Sequence, residues 1–168
     1  KLTKFKRLET NIDGVQPGFY VVAAETNAGK TAFLVNLTLD LLDSNPDLAG
    51  IYFTLDDSKD VILNRCLGII TSIQLNKIQR PQETERLKGM LAEGYNKLFT
   101  LGKENRFFLR SGDETQDVFT LQKEIKRRLN KPLFVVIDAL YNLDIGMEAY
   151  DQRRENIERA NQVKQLVK

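Results

Sequence analysis

The chain has 168 residues, of which 42% are hydrophobic and 29% are charged, and its formal net charge is +2. These values predict a single globular domain with a sizeable core, and they exclude a chain that is basic throughout. No apolar run reaches the roughly 18 to 20 residues that a membrane span needs. The chain has no histidine and one cysteine, Cys66, which excludes a usual zinc site and a His-dependent catalytic triad. Cys66 is expected to be a small core residue. The protein is expected to be cytoplasmic.

The N-terminal residues 1–18 are predicted to form a linker ahead of a domain that spans 19–168. Residues 1–7, KLTKFKR, are basic and are interpreted as a solvated segment, and residues 11–18 are rich in turn formers. Because the chain starts at Lys1 and not at methionine, we expect it to be a fragment of a longer protein.

Residues 19–33, FYVVAAETNAGKTAF, carry the strongest motif. The apolar run 19–24 predicts a buried strand, and residues 31–42 predict a helix. A strand, a loop, Gly-Lys-Thr and a helix in this order are typical of a phosphate-binding P-loop, whose N–H groups and helix N-terminus surround polyphosphate. Lys30 would reach the β- and γ-phosphates, and the Thr31 hydroxyl would coordinate Mg²⁺. The predicted ATP-binding residues are Ala24, Glu25, Thr26, Asn27, Ala28, Gly29, Lys30, Thr31 and Ala32.

A second apolar run, residues 50–55, predicts another buried strand, followed by a helix from 59 to about 72 that Ser58 can cap. Asp56 and Asp57 come directly after the strand, at the edge where α/β sheets bind ligands. Either carboxylate could act as the general base for an attacking water, or both could only favour the following helix through its dipole. The spacing leaves both interpretations open.

The middle of the chain predicts an irregular link over 75–81 and a helix over 83–99, then a third strand over 105–110. The helix would turn Leu87, Leu91, Tyr95 and Leu98 toward the core. A further helix over 115–130 has an apolar stripe formed by Val118, Leu121, Ile125 and Leu129. Its other face carries Lys123, Lys126, Arg127 and Arg128. That basic face could contact a phosphate backbone, but a solvated helix surface is the favoured interpretation.

Residues 133–138, LFVVID, predict a fourth strand that is covered on both faces and ends in Asp138. A carboxylate at this place beside a P-loop is the Walker B pattern, in which Asp138 would support Mg²⁺ opposite Thr31. A loop over 146–151 and a helix over 152–168 follow. Strands that alternate with helices predict an α/β fold, with a mostly parallel sheet and helices on both faces.

The chain resembles the RecA-like motor domain of the DnaB-like hexameric replicative helicases over roughly residues 8–168. The stretch LETNIDGVQPGFYVVAAETNAGKTAFLVNL is similar to that family's P-loop region, which also carries alanine at the position of Ala24. IYFTLDDSKDVILNRCLG resembles the family's second strand and following helix. LFVVIDAL resembles its Walker B segment, and DQRRENIERANQVKQLVK resembles the helix after it, where Glu155 and Lys164 match.

The resemblance implies a P-loop NTPase fold that is truncated at its C-terminal side, with ATP and Mg²⁺ as cofactors and Asp138 and Thr31 as metal-supporting residues. It also implies an ATPase that translocates on single-stranded DNA and unwinds duplexes. The intact protein would be a homo-hexamer that meets a primase and a helicase loader. The DNA-binding loops and the arginine finger of the family would lie beyond this chain.

Two departures from the family pattern bear on catalysis. Asp56 stands where the family has its catalytic glutamate, and aspartate is one methylene shorter. Tyr141 stands where the family has a glutamine that senses the γ-phosphate, and Asn142 could substitute for it. Two alternatives therefore stay open: a RecA-like ATPase with a recombinase or regulatory role, and a nucleotide-binding assembly module that does not hydrolyse ATP.

Overall fold

A computed structural model describes residues 1–79, 85–114, 117–146 and 151–166. Within these ranges three strands, β1 (Ala49–Thr54), β2 (Phe107–Ser111) and β3 (Leu133–Asp138), form one parallel sheet in the order β2-β1-β3. The helices are α1 (Lys6–Asn11), α2 (Lys30–Ser44), α3 (Lys59–Thr71), α4 (Leu75–Gln79), α5 (Glu85–Lys103), α6 (Val118–Lys126) and α7 (Gln152–Gln165), with a 3₁₀ turn at Leu140–Asn142. The predicted parallel α/β sheet is confirmed.

Side chains on the two faces of the sheet belong to two separate cores. Tyr52 packs with α2, α3, α4 and α5 on one face, and Cys66 is buried in this core as expected. Ile51 and Phe53 pack on the other face with side chains from α6 and α7. Successive residues of a strand point to opposite faces, so β1, which is buried along its whole length, contributes to both cores. The predicted helices on both faces are confirmed.

Two glycines allow the closest approaches in the first of these cores. A Cβ on Gly50 would lie 2.2 Å from Cζ of Phe134, which crosses over β1 from β3. A Cβ on Gly94 would lie 2.8 Å from Cγ2 of Thr71, where α5 packs against α3. The missing side chain of Gly94 therefore lets α5 and α3 pack closely.

The predicted strand over 19–24 is wrong: no residue of this run belongs to a strand, and Val21 is 66% exposed. Both edges of β1 are already taken by β2 and β3, and the run is not paired with either outer edge. A backbone without a ladder partner hydrogen-bonds to water, and within this run Phe19 alone is half-buried, packed against the core that holds Ile51 and Phe53. The described residues accordingly contain three strands where the sequence predicts four.

Several other predictions need correction. Residues 75–79 form α4 where an irregular link is predicted, and Tyr95 is exposed instead of facing the core. α6 ends at Lys126, and the exposed Leu129 lies beyond it, so the apolar stripe is shorter than predicted. The predicted helix starts at 83 and 115, the loop residues 147–150 and the C-terminal residues 167–168 lie outside the described ranges. No helix in the described part of the chain is both long and apolar enough to cross a membrane.

The N-terminal segment binds the side of α2 instead of remaining fully solvated. Leu2 is buried, and the Phe5 and Phe33 rings meet edge to face with centroids 5.3 Å apart. Asp40 on α2 is buried and accepts hydrogen bonds from the Thr3 hydroxyl (2.6 Å), the Thr3 N–H (2.9 Å) and the Lys4 N–H (2.9 Å). Burial alone would raise the pKa of the Asp40 carboxyl, but these hydrogen bonds outweigh it and lower the pKa.

Candidate functional site

The loop before α2 has a backbone that only certain residues tolerate. Gly29 has φ +92° and Asn27 has φ +63°, both in the left-handed region. Glycine adopts this region freely, and asparagine does so more readily than most residues. A Cβ on Gly29 would meet no atom within 4 Å, so its backbone angle, and not crowding within the chain, is what requires glycine here.

Lys30 folds back over this loop. Its Nζ donates hydrogen bonds to the carbonyl oxygens of Ala24 (2.9 Å) and Glu25 (2.8 Å), and the Ala28 N–H donates to the Glu25 oxygen (3.2 Å). These three hydrogen bonds close the loop and hold the Lys30 ammonium group beside it. Residues 24–29 are exposed, so this charge is open to solvent-borne anions.

The N-terminus of α2 follows this loop directly. Gly29 is the N-cap residue, it provides no side-chain cap, and the first turn holds no acidic residue. The first N–H groups of a helix have no partner within the helix, and they carry about half a positive charge together. Thr31 and Ala32 belong to this first turn. Loop, ammonium group and helix end thus form a cluster of donors that suits a phosphate group.

Asp138 ends β3 and is held from the neighbouring strand. In the β1–β3 register Thr54 is aligned with Asp138, and the buried Tyr52 hydroxyl donates to Oδ2 of Asp138 at 2.7 Å. Burial raises the pKa of Tyr52, and the negative charge of Asp138 raises it further. Among the described residues no donor reaches the other carboxylate oxygen, Oδ1. Tyr52 was not predicted as a site residue; its phenol hydroxyl within the apolar run 50–55 was the only signal of it.

Asp56 lies two residues past the end of β1, beside the 3₁₀ turn that follows β3. Its Oδ2 accepts a hydrogen bond from the Tyr141 hydroxyl (3.1 Å), which raises the pKa of Tyr141. Its Oδ1 lies 3.4 Å from Nδ2 of Asn142, which also donates to the Leu55 carbonyl oxygen (3.2 Å). Tyr141, which stands at the position of the family's glutamine, and Asn142, which could substitute for that glutamine, therefore hold Asp56.

Asp57 is directed elsewhere. Its carboxylate faces Arg65 on α3, with 3.8 Å between Oδ2 and Nη2, and it is less exposed than Asp56. The sequence left the two aspartates equivalent, and the structure separates them. Asp56 faces the turn after Asp138, whereas Asp57 pairs with the helix that follows it.

The predicted metal-supporting pair is chemically suitable for Mg²⁺ but is not joined by a direct bond. Within the described ranges neither Lys30 nor Thr31 hydrogen-bonds to Asp138 or Asp56, and no group of three or more acidic, histidine or cysteine side chains is close enough to hold a metal alone. Mg²⁺ favours hard oxygen ligands and usually keeps several waters, using few protein ligands. A threonine hydroxyl and a half-engaged buried carboxylate fit that chemistry.

Comparison with known proteins identifies the family. A family model, the DnaB-like helicase C terminal domain, matches residues 2–168. The chain belongs to the DnaB-like helicase C-terminal domain family. This membership confirms the family resemblance and the RecA-like α/β class. A comparison with curated proteins finds no significant match.

Two solved structures share the fold. One is the structure of an ATPase domain, with a TM-score of 0.81 and 22% identity, over 97% of this chain and 57% of that chain. The other is a structure of a DnaB-like replicative helicase and its interactions with primase, with a TM-score of 0.76 and 22% identity, over 94% of this chain and 39% of that chain. This DnaB-like chain thus spans little more than half the length of the first structure and less of the second.

Proposed function

We propose that this DnaB-like chain is the ATP-binding portion of a replicative helicase motor, which couples ATP hydrolysis to movement on single-stranded DNA. The observation that carries the proposal is the donor cluster at residues 24–32. A loop with positive φ at Gly29, the Lys30 ammonium group and the uncapped start of α2 adjoin one another, and residues 24–29 are exposed. Such a cluster selects a polyphosphate over a single carboxylate, because its donors are spread over several residues.

Lys30 has two states in this proposal. Without nucleotide its ammonium group is satisfied by the carbonyl oxygens of Ala24 and Glu25. When ATP binds, Nζ exchanges these neutral acceptors for β- and γ-phosphate oxygens, which are charged and form stronger hydrogen bonds. Backbone N–H groups of residues 25–32 hold the remaining phosphate oxygens.

Thr31 and Asp138 would hold Mg²⁺ in this site. Bound there, the ion would supply charge neutralisation between the β- and γ-phosphates. Tyr52 acts as a positioning residue, since its hydroxyl fixes one oxygen of Asp138 and leaves the other free. This arrangement of a ligand held by a second residue is general in metal sites.

We assign Asp56 as the general base in preference to Asp57, whose carboxylate is directed toward Arg65. Tyr141 and Asn142 orient the Asp56 carboxylate toward the space past β3. A water activated there would attack the γ-phosphorus and pass its proton to Asp56, while the bond from that phosphorus to the bridging oxygen of the β-phosphate breaks and ADP leaves. The assignment needs nucleotide at the loop and Asp56 on the same edge of the sheet, where the carboxyl ends of β1 and β3 meet.

Family membership is the reason to extend this proposal to DNA. We propose a homo-hexameric ring in the cytoplasm as the working assembly, with single-stranded DNA as the track. A primase and a helicase loader are proposed partners. One solved structure of the same fold concerns a helicase and its interactions with primase.

The first test measures nucleotide binding by the chain itself. A fluorescent ATP analogue is titrated into wild type and Lys30→Ala with Mg²⁺ present. We expect the variant to lose at least tenfold in affinity, because it loses charge-assisted hydrogen bonds worth about 1.5–3 kcal/mol each. Equal affinity in both proteins would remove the P-loop assignment.

The second test separates the motor from a competing function. Both oxygens of Asp56 face donors on Tyr141 and Asn142, which also suits a nucleotide-binding assembly module that does not hydrolyse ATP. Phosphate release by the intact helicase is measured with and without single-stranded DNA. Stimulation by DNA supports the motor, and tight binding with no turnover in either condition supports the assembly module. Turnover that DNA leaves unchanged supports a RecA-like ATPase with a regulatory role.

A further inference from the structure

The outer face of α6 combines positive charge with an exposed aromatic ring. Phe119, Lys123, Lys126 and Arg127 occupy positions i, i+4, i+7 and i+8, so they form one stripe along the helix. They line a shallow groove together with Gln122. The Phe119 side chain is 81% exposed, and the Arg127 side chain is 65% exposed. We call these four residues the α6 stripe.

Few acidic residues lie near the α6 stripe along the chain. Residues 117–131 contain two acidic side chains, Asp117 and Glu124. Asp117 caps the start of α6 by accepting from the Thr120 N–H at 2.8 Å. Glu124 is buried beneath the helix, where its single negative charge meets several guanidinium groups.

Three arginines share that one carboxylate. Glu124 Oε1 lies 2.9 Å from Nη2 of Arg110 and 2.7 Å from Nη2 of Arg128, and its Oε2 lies 3.4 Å from Nη1 of Arg127. Arg128 also lies over the Phe108 ring at 3.8 Å. Arg110 and Arg128 lie closer to the Glu124 carboxylate than Arg127 does, and they are less exposed. The exposed positive charge of α6 therefore comes mainly from Arg127, Lys123 and Lys126.

This stripe is separate from the donor cluster at the P-loop. α6 packs in the core that holds Ile51 and Phe53, whereas α2 packs on the opposite face of the sheet with Tyr52. The nucleotide that would occupy the P-loop therefore cannot also satisfy the α6 stripe. A second anionic partner would therefore have to bind at a different face of the sheet from the nucleotide.

We propose that the α6 stripe binds single-stranded DNA, with Phe119 stacked on a base and Lys123, Lys126 and Arg127 on backbone phosphates. Bases stack on aromatic side chains while cations follow the backbone, and this combination is the usual basis of single-strand binding. An acidic protein would use the cations but would leave Phe119 exposed, so the ring favours nucleic acid. The proposal rests on the proposed function only in choosing DNA over RNA.

The test measures the anisotropy of a fluorescein-labelled oligothymidine, with the 168-residue chain and no nucleotide. The variants are Phe119→Ala and the triple variant Lys123→Gln, Lys126→Gln and Arg127→Gln. The matched control neutralises three exposed cations elsewhere, Lys6, Lys77 and Arg86, by the same change to glutamine. All these side chains are exposed, so the folded state is expected to survive, and circular dichroism checks this.

We expect the triple variant to weaken binding at least tenfold at about 50 mM salt, and we expect the control to bind within about twofold of wild type. Each lost phosphate contact lowers the slope of log affinity against log salt by about 0.7 for single strands, so the triple variant should flatten it by about two. Loss of one stacked base should make Phe119→Ala roughly tenfold weaker with an unchanged slope.

Three results would overturn the proposal. The first is that wild type shows no measurable binding, and the second is that the triple variant and its control lose equal affinity. The third is that the variants change self-association and not DNA binding, which would make the stripe an interface between copies. Lys30→Ala is included because it changes the nucleotide site and leaves the α6 stripe intact. If this variant loses ATP binding and still binds DNA, the proposal for the nucleotide site and the proposal for the α6 stripe are tested separately.

Discussion

Asp56→Asn is the change that most directly tests the assigned catalytic base. Asparagine has nearly the same size, and its amide oxygen can still accept the hydrogen bond that the Tyr141 hydroxyl donates at 3.1 Å. The position of the side chain is therefore kept while its basicity is lost. A general base contributes about 10²- to 10⁴-fold to a rate, or about 2.7 to 5.4 kcal/mol of activation free energy.

We expect phosphate release by the intact protein that carries Asp56→Asn to fall by that factor, while its affinity for a fluorescent ATP analogue stays within about twofold. Asp57→Asn is the matched control. The Asp57–Arg65 pair is partly exposed at 3.8 Å, and such pairs contribute about 0 to 1 kcal/mol to stability. The turnover of the Asp57→Asn variant should therefore remain near that of wild type.

The opposite pattern would refute the reasoning: turnover that persists in Asp56→Asn and is lost in Asp57→Asn makes Asp57 the base. Asp56→Glu extends the test, because it restores the residue of the family pattern. If the shorter side chain limits the reaction, the added methylene should raise turnover, since a misplacement of about an ångström can cost on the order of 10²-fold. A decrease would indicate that Tyr141 and Asn142 position aspartate specifically.

Other side-chain contacts give three more predictions. Lys30→Met should weaken ATP binding, and it should also loosen the loop because it removes both hydrogen bonds from Nζ to the carbonyl oxygens of the loop. Faster proteolysis at the loop would show this loosening, and unchanged proteolysis would contradict it. Tyr52→Phe should raise the Mg²⁺ concentration for half-maximal nucleotide binding roughly ten- to hundredfold, whereas an unchanged value would argue against a positioning role for Tyr52. The lowered pKa of Asp40 should add stability above its unfolded value of about 3.9, and that stability should be lost as pH falls through the folded pKa. Urea unfolding of Asp40→Asn should show about 2 to 4 kcal/mol less stability at pH 7 and a flatter pH dependence than wild type.

The parts of the fold that were predictable are those in which a local pattern and the tertiary structure agree. The run 133–138 was predicted as a strand ending in Asp138, and β3 has those bounds. Ser58 was predicted to cap a helix, and its hydroxyl accepts from the Val61 N–H. In both cases the signal lies within a few residues of the feature it predicts.

The contacts that shape the candidate site were less predictable, because they join distant residues. Tyr52 and Asp138 are 86 positions apart, and Tyr141 and Asp56 are 85 apart. No periodicity relates such pairs, and only the register that aligns Thr54 with Asp138 brings them together. Sequence reasoning placed Asp56 and Asp138 on one edge of the sheet, but it could not determine whether Asp56 or Asp57 faced the turn after Asp138, or which residues held it.

The run 19–24 shows why composition alone does not make a strand. It is as apolar as β3, yet β3 is paired with β1, whereas residues 20–24 are exposed and Phe19 alone packs against a core. The difference lies in the partner, because a strand is stabilised by the ladder and by cover on its faces, and the run 19–24 has no ladder partner and little cover. The loop after it nevertheless keeps positive φ at Asn27 and Gly29 and two bonds to Lys30. The geometry of the donor cluster therefore depends on the loop residues and the start of α2, and not on the strand that the sequence predicts before them.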